Sequence, residues 1–300
     1  MTTRIDSASN PRIAAAVKAI ASGEMMLLEG GRMIEEALDA GVRIDEIFLQ
    51  RNPEQEKEGE EDFPRRVRGE GETEERFLRR GRGAGNARAT AAPARVTLVS
   101  ARVLRRLSDL PSTRGAVAIA PPPHRALTSL SALLPSKKSL SSSSSSSSPL
   151  FLLLDDVQDP ANVGAILRSG EAFGVAAALL TPGCAWPFSP RALRASAGSA
   201  FRLPVCAPVT ADEAVAWARR HGIALAGAEA HGGDAPESLA ALRPLALVIG
   251  SEGHGISPEI VSALDRRVTL PLAGHVESLN AAVAAGVLLH VLTRRPGSPR

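Results

Sequence analysis

Apolar runs alternate with amphipathic stretches along the second half of the chain, and this alternation predicts a parallel β-sheet. Runs of four or five apolar residues, such as Leu150 to Leu154 and Leu245 to Ile249, are separated by segments with helical periodicity. Continuous apolar strands between helices are typical of a sheet covered by helices on both faces. We therefore predict an α/β domain over residues 150–300. Its last helix, Ala281 to Leu292, is apolar nearly all round, and we expect it to be buried on several sides.

The first part of the chain predicts a smaller α/β domain, residues 1–125, with a charged insertion. Helix and strand patterns alternate over residues 1–50 and resume at Val96, after a Glu-, Arg- and Gly-rich stretch at about residues 52–94. That stretch holds few branched apolar residues, so we expect it to be disordered. Residues 126–149, which include the serine tract Ser141 to Ser148, predict a flexible linker between the two domains.

Composition excludes several classes of protein. The two cysteines, Cys184 and Cys206, form no CxxC pair and have no histidine at ligand spacing, so we expect neither a disulfide framework nor a metal. No apolar run reaches the roughly 18 residues of a membrane span, and the first residues do not resemble a secretory signal. We expect a cytoplasmic protein with no membrane association. The net charge of +3 permits an anionic partner.

Three polar loops, each following an apolar run, are the candidates for chemistry. They lie within Asp155 to Arg168, Gly250 to Gly255 and Val276 to Asn280. In parallel sheets ligands bind beyond the carboxyl ends of the strands, where we expect all three loops to lie. The sequence therefore predicts one composite site.

The first loop also has an ordinary structural explanation. Asn162 can cap the helix that follows, and Gly164 allows close approach of another backbone. Arg168 can form a purely structural ion pair, or it can face a cleft and bind an anion. Both interpretations stay open from the residues of this loop alone.

The other two loops carry similar alternatives. The glycine spacing after Ile249 is G-x-x-G-x-G, unlike the G-x-G-x-x-G of dinucleotide-binding loops, which disfavours a nucleotide-binding oxidoreductase. Glu252 in this loop offers a carboxylate to Arg168 or to a substrate. Ser278 and Asn280 lie in the turn that we expect to begin the last helix, where either is a typical capping residue.

Taken together, the three loops resemble the SpoU (TrmH-like) branch of the SPOUT methyltransferases. The similarity covers residues 150–293 and includes Pro187 to Pro190 and Arg194 to Gly198 between the loops. Residues Ile5 to Pro11 and Leu27 to Gly30 are similar to the substrate-binding domain that precedes the catalytic domain in many members. The charged insertion and the serine tract are additions to the family pattern.

This resemblance implies a fold, a reaction and partners. The fold is a trefoil-knotted, parallel-sheet SPOUT methyltransferase domain preceded by a small, L30e-like α/β domain that binds RNA. The reaction is methyl transfer from S-adenosyl-L-methionine to a ribose 2′-hydroxyl of RNA, with ribosomal RNA favoured over transfer RNA. A homodimer would assemble the active site across its interface. The alternative is a catalytically inactive RNA- or ribosome-binding protein of the same fold.

The resemblance also assigns roles to residues. Arg168 is the central catalytic residue, and it is surrounded by Asn162, Glu252, Ser278 and Asn280. The cofactor site would be lined by Gly250, Leu270 and Leu279. Because arginine is a very poor base, we expect Arg168 to stabilise the developing alkoxide and to orient a phosphate. The proton would then leave through a neighbouring group or water.

Overall fold

The computed structural model describes residues 3–51, 94–108, 115–134, 148–239 and 242–294. The chain divides into two compact units, residues 1–122 and 123–300. The charged insertion predicted at residues 52–94 lies outside the described residues, except for Ala94.

The first unit is built on a mixed five-stranded sheet. Its strands follow the order β1-β4-β3-β5-β2, in which β1, β4 and β3 are parallel and β5 is antiparallel to both of its neighbours. The strands are β1 (Thr3–Ile5), β2 (Met26–Glu29), β3 (Glu46–Gln50), β4 (Arg95–Val99) and β5 (Ala116–Ala120). The helices described in this unit are α1 (Pro11–Ala21), α2 (Gly31–Asp39) and α3 (Ala101–Leu107).

Helices α1 and α3 cover one face of this sheet. Ile13 of α1 and Leu104 of α3 share a buried cluster with Leu27 and Phe48 of the strands. Helix α2 lies against β2 and β5, and its buried residues are not members of that cluster. Because successive strand residues point to opposite faces, α2 covers the second face of the sheet.

The second unit contains a six-stranded sheet in which every pair of neighbouring strands is parallel. The strand order is β11-β9-β10-β6-β7-β8. The strands are β6 (Leu150–Leu154), β7 (Ala177–Leu180), β8 (Val205–Cys206), β9 (Ala224–Ala228), β10 (Leu245–Ile249) and β11 (Arg266–Val268). All residues of β6 and β10 are buried, which agrees with the parallel, doubly covered sheet that the apolar runs predict.

One helix of the second unit differs from the sequence prediction, and the last helix begins where it was predicted. A single helix is predicted over Pro190 to Gly198, but the chain turns at Ala197 and Gly198, which have φ angles of 46° and 81°. The last helix begins at Ala281, because the side chain of Asn280 caps it. The helices are α4 (Pro160–Ala172), α5 (Pro190–Ser196), α6 (Ser199–Arg202), α7 (Ala211–Arg220), α8 (Pro258–Val261) and α9 (Ala281–Thr293).

The prediction of a flexible linker over residues 126–149 is wrong for the first part of that segment. Residues Leu127–Leu133 form a 3-10 helix, and Leu130 is buried in a core cluster with Phe151 and Trp217. The apolar residues three apart, Leu127 and Leu130, attach this segment to the second unit. Residues 135–147, which hold most of the serine tract, lie outside the described residues. Among the helices described, none is long and apolar enough to cross a membrane.

Candidate active site

The three polar loops leave the same edge of the second sheet. Because all six strands are parallel, the segments after β6, β10 and β11 emerge together at their carboxyl ends, which confirms the expected placement. Asp155, at the end of β6, joins two of these loops. Its buried carboxylate accepts a hydrogen bond of 2.7 Å from the backbone N–H of Ser257, in the segment that follows β10.

Three of the five predicted catalytic residues are joined by hydrogen bonds. Asn280 Nδ2 donates to Asn162 Oδ1 at 3.0 Å, and Asn162 Nδ2 donates to Glu252 Oε1. Asn280 Oδ1 accepts from the backbone N–H groups of Ala282 (3.0 Å) and Val283 (3.3 Å) at the start of α9. We call Asn280, Asn162 and Glu252 the amide chain.

The helix end fixes the direction of every amide in this chain. Since the oxygen of Asn280 is held by two backbone N–H groups, its NH₂ group faces Asn162. The oxygen of Asn162 is thereby occupied, and its own NH₂ group faces the carboxylate of Glu252. Each polar group in the chain therefore has one satisfactory orientation.

Asn162 does not cap the helix, contrary to the sequence expectation. The N-cap of α4 is Asp159, whose carboxylate accepts from Ala161 N at 2.9 Å, and Pro160 occupies the first helical position. Asn162 therefore lies inside the first turn with its side-chain amide available to the amide chain. The expected close approach at Gly164 is confirmed, since a Cβ there would lie 2.3 Å from the carbonyl oxygen of Ala192 in α5.

Arg168 is exposed on α4, about 9 Å along the helix axis from Asn162. Its neighbours Ile166 and Leu167 are fully buried, and they fix the backbone from which the guanidinium extends. Within the residues that the structure describes, Arg168 makes no hydrogen bond or ion pair, so the interpretation as a structural ion pair is not supported. The carboxylate of Glu252, one of the partners expected for Arg168, is bound by Asn162 instead.

Ser278, like Arg168, is a predicted catalytic residue that forms no hydrogen bond with the amide chain. It is exposed in the segment between β11 and α9, two residues before Asn280, and it forms no hydrogen bond with the described residues. It is not the helix cap, because that position is held by Asn280. Ser278 is nevertheless close to Asn280 in the sequence, and its segment follows β11 at the same edge of the sheet.

The three residues predicted to line the cofactor site lie in the loops after β10 and β11. Gly250 begins a tight loop closed by two backbone hydrogen bonds between Ser251 and Gly255, of 3.0 and 2.9 Å. A Cβ on Gly250 would lie 2.4 Å from the carbonyl carbon of Gly255, so the loop closes this way only with glycine there. Half-buried Leu270 follows β11, and half-buried Leu279 precedes α9. Because β9 separates β10 from β11, Gly250 and Leu270 leave the sheet about 10 Å apart.

Sequence reasoning assigned no role to Asp156, which the structure places in a distinctive turn. Its φ angle is 55°, its N–H donates to Thr181 Oγ1 at 3.0 Å, and its carboxylate accepts from Gln158 Nε2 at 3.1 Å. Its Oδ1 fills the space at Gly183, where a Cβ would lie 2.2 Å away. The paired acids at the end of an apolar run, followed by an amide two residues later, are a signal that could have identified this turn.

Cysteine chemistry plays no part at this edge of the sheet. Burial raises the pKa of the Cys184 thiol, whose Sγ donates to the carbonyl oxygen of Leu154 at 3.2 Å. Cys184 is therefore protonated at neutral pH and is not a nucleophile. No group of three or more potential metal ligands occurs among the described residues. A cavity of about 290 Å³ lies beside β11, lined by residues 232–234 and 264–267, and includes none of the predicted site residues.

A parallel sheet covered on both faces, with interlinked polar loops at its carboxyl edge, defines an α/β protein with a composite site. Residues 149–290 match the sequence model of the family described as the SpoU rRNA Methylase family. This match covers slightly less than half of the chain, and it confirms the resemblance noted from the loops.

Curated relatives match about half of the chain. A protein described as an uncharacterized tRNA/rRNA methyltransferase from Mycobacterium ulcerans (strain Agy99) is 40% identical over 147 residues, which are 49% of this chain and 47% of the relative. A protein from Mycobacterium tuberculosis (strain ATCC 25618 / H37Rv) with the same description is 39% identical over 152 residues, 50% of this chain and 47% of the relative. The chain thus spans about half the length of the curated relatives it matches.

Solved structures match nearly the whole chain. One described as an RNA 2′-O ribose methyltransferase is 27% identical, with a TM-score of 0.65 over 97% of this chain and 98% of that one. A putative RNA methyltransferase of the TrmH family from Porphyromonas gingivalis is 26% identical, with a TM-score of 0.68 over 96% and 99%. An AdoMet-bound rRNA methyltransferase from Sinorhizobium meliloti, 21% identical over 97% of each chain, has a TM-score of 0.73 and shares the fold.

Proposed function

We propose that this protein is an S-adenosyl-L-methionine-dependent methyltransferase that methylates a ribose 2′-hydroxyl of RNA. The observation that carries the proposal is the amide chain ending at Glu252, together with Arg168 on the same helix as Asn162, whose guanidinium has no partner among the described residues. The match of residues 149–290 to the SpoU family supports the reaction class. Likeness to a structure described as an RNA 2′-O ribose methyltransferase, at 27% identity, supports the ribose hydroxyl as acceptor.

The loops at this edge offer exposed main chain and apolar side chains, which suit the proposed cofactor. No atom lies within 4 Å of the Cβ position at Gly253 or Gly274, so the main chain is open to a flat ligand in two of the loops. The half-buried side chains of Leu270 and Leu279 offer apolar contacts to such a ligand. Gly250, Leu270 and Leu279 would hold the cofactor, and its sulfonium supplies a methyl group that is already activated.

The protein's own residues must then bind and orient the RNA. Arg168 presents five N–H donors and a permanent charge, which suits a phosphate and a developing alkoxide. Asn162 and Asn280 hold the carboxylate of Glu252 in one orientation. We assign Ser278 a hydrogen bond to the substrate, because its hydroxyl has no partner among the described residues. The proton leaves through a neighbouring group or water.

We further propose that α9 forms the interface of a homodimer. Val283 and Val287, one turn apart on this helix, are 53% and 41% exposed, whereas Leu288 and Leu289 are buried within the unit. A homodimer would cover this apolar face, and Val283→Glu should then shift the protein toward monomer in sedimentation velocity, with Arg220→Glu on α7 as the control. An unchanged dimer, or a wild-type monomer, would contradict this interface.

The finer features of the fold are also proposals. The segment after β11, at one end of the sheet, leads to α9, which packs against α4 beside the central strands. This path of the chain, from the end of the sheet back to α4, supports the trefoil knot that the family resemblance implies. The first unit would be the L30e-like, RNA-binding domain, and we favour ribosomal RNA over transfer RNA and a cytoplasmic location.

The proposed reaction is tested by transfer of labelled methyl from S-adenosyl-L-methionine to unmodified ribosomal RNA and transfer RNA, kept as separate pools. We expect label in a 2′-O-methyl nucleoside of the ribosomal pool, lost with Arg168→Ala and retained with the exposed control Arg220→Ala. Label in a methylated base would refute the ribose assignment, and label confined to transfer RNA would overturn the preferred substrate. Absence of both label and cofactor binding would favour the inactive RNA-binding alternative.

A further inference from the structure

Charge is distributed unequally between the two helical faces of the first unit. On one face, α1 and α3 carry five cationic side chains and no acidic one: Arg12, Lys18, Arg102, Arg105 and Arg106. On the other face, α2 carries three acids and one arginine: Arg32, Glu35, Glu36 and Asp39. We call the face of α1 and α3 the basic face.

The arginines of α3 share the side of the helix that points away from the core. Val103, Leu104 and Leu107 are buried in the cluster beneath the helix, which leaves the positions between them exposed. Arg102 and Arg106 are four residues apart, so they lie one above the other on the exposed side, and Arg105 is three residues from Arg102. The seven-residue helix therefore presents three guanidinium groups to its outside.

These cations are unpaired among the residues that the structure describes. Arg12, by contrast, is paired with the buried carboxylate of Glu46 and also bonds Thr97 Oγ1 at 3.3 Å. No described carboxylate pairs with Lys18 or with the arginines of α3. The basic face thus carries four net positive charges without described counter-charges, in a protein whose overall charge is only +3.

We propose that the basic face binds the phosphate backbone of the substrate RNA. The surface is rich in arginine, whose planar fork pairs with two oxygens of a phosphate, and it carries no aromatic side chain for reading bases. Its contribution is therefore to affinity and orientation and not to the choice of nucleotide. This inference rests on the proposed function for the identity of the anion. An acidic protein surface is the competing partner.

Two matched double variants of the full-length protein test the inference. Arg102→Gln with Arg106→Gln removes two charges from the basic face. Arg32→Gln with Arg43→Gln removes two exposed charges elsewhere in the same unit, and both of these arginines are already paired, with Glu36 and Asp45. Thermal unfolding of each variant shows whether the fold is retained.

The affinity of wild type and of both variants for unmodified ribosomal RNA is measured at salt concentrations from about 50 to about 300 mM. Each lost phosphate contact lowers the slope of log K against log salt by about 0.7 to 0.9, so the basic-face variant should lose about 1.4 to 1.8 of slope. At about 0.1 M salt this corresponds to a loss of affinity of roughly 30-fold. The control variant should bind within about twofold of wild type.

The outcomes separate this inference from the proposed reaction. An unchanged slope in the basic-face variant, or an equal loss in the control, overturns RNA binding by this face and leaves an acidic protein as its partner. Methyl transfer by wild type together with an unchanged slope refutes this inference alone. Loss of slope with no methyl transfer by wild type, and with cofactor binding intact, supports the basic face and refutes the proposed reaction.

Discussion

Replacing Gly164 by alanine should separate helix α4 from helix α5. Gly164 lies on α4 between Asn162 and Arg168, at the point where α4 contacts α5. An added Cβ would lie 2.3 Å from the carbonyl oxygen of Ala192 and 2.7 Å from the Cβ of Ala195. The nearest atom belongs to the backbone of a helix, so no side-chain rotation relieves the clash.

The magnitude follows from this geometry. The helices must separate by about 1 Å before the new methyl group reaches ordinary van der Waals distance from Ala192. Overpacking of this kind costs about 1 to 3 kcal/mol, and the higher helix propensity of alanine offsets up to about 1 kcal/mol of it. We therefore expect Gly164→Ala to lower the free energy of unfolding by about 1 to 2 kcal/mol.

The same displacement should impair activity more than it impairs stability. Asn162 and Arg168 flank Gly164 on α4, so a shift of about 1 Å changes the position of the guanidinium relative to the amide chain. A misplacement of that size at a catalytic group costs up to about 10²-fold in rate. Methyl transfer by Gly164→Ala should therefore fall about 10²-fold at a temperature where the variant is fully folded.

Gly286→Ala supplies the matched control, because this glycine also lies inside a helix that contacts α4. Its Cβ would meet only Ser169 Oγ, at an ordinary distance of 3.5 Å. Helix propensity then dominates, and the variant should be as stable as wild type or more stable by up to about 1 kcal/mol. Urea unfolding and single-turnover methyl transfer measure both variants. A Gly164→Ala protein with wild-type stability and activity would contradict the predicted clash between Gly164 and Ala192.

Three further predictions concern single residues. Asn280→Asp keeps an oxygen that can cap α9, but its ionised side chain cannot donate a hydrogen bond to Asn162. The variant should therefore unfold in urea like wild type and lose methyl transfer. Wild-type activity in this variant would contradict the role of the amide chain. Burial acts to raise the pKa of Asp265, but hydrogen bonds from Arg219 and a backbone N–H outweigh it and hold that pKa below its ordinary value of 3.8. The ionised carboxylate of Asp265 therefore stabilises the protein above pH 4, and this contribution is lost as the pH falls through the folded pKa. Asp265→Asn should make the free energy of unfolding in urea depend less on pH in the acid range. An unaltered pH dependence would contradict the lowered pKa of Asp265. Burial raises the pKa of Cys206 to about 11 from 9.0, so its stabilising contribution is present below pH 9 and lost as the pH rises toward 11. At pH 8 this thiol should react with iodoacetamide only after unfolding, as mass spectrometry of the alkylated peptide would detect, and rapid labelling of the native protein would contradict its burial.

The strands and their order in the chain were predictable because burial on both faces imposes uninterrupted apolar runs. Strands β6 and β10 have the bounds that the sequence predicts, since each run ends at an acid or a glycine. Helix ends were less predictable, because several residues near an end compete for the same backbone N–H groups. Asp159 takes the cap of α4 that Asn162 was expected to fill, and Asn280 takes the cap of α9 that Ser278 could equally have filled.

The candidate site shows the same division between what is local and what is distant. The sequence identifies Arg168, Glu252 and Asn280 as polar residues after apolar runs, but these residues are as much as 112 positions apart in the chain. Their pairing depends on which side chains meet across the sheet edge, and no local pattern specifies that Glu252 bonds Asn162 and not Arg168. The linker prediction failed for a related reason: the burial of Leu130 depends on a core cluster that other elements build, with Phe151 and Trp217 among its members.

Local sequence patterns are enough to predict that this chain contains a parallel α/β domain, where its strands lie, and which loops carry the candidate polar residues. These properties follow from the periodicity of apolar positions and from short-range capping and turn preferences, which act over a few residues. The tertiary structure sets three further properties: the partners of the amide chain, the lack of a partner for Arg168 among the described residues, and the requirement for glycine at position 164. Each of these depends on atoms brought together from separate elements, and packing density and hydrogen-bond satisfaction select those contacts only once the whole domain has folded.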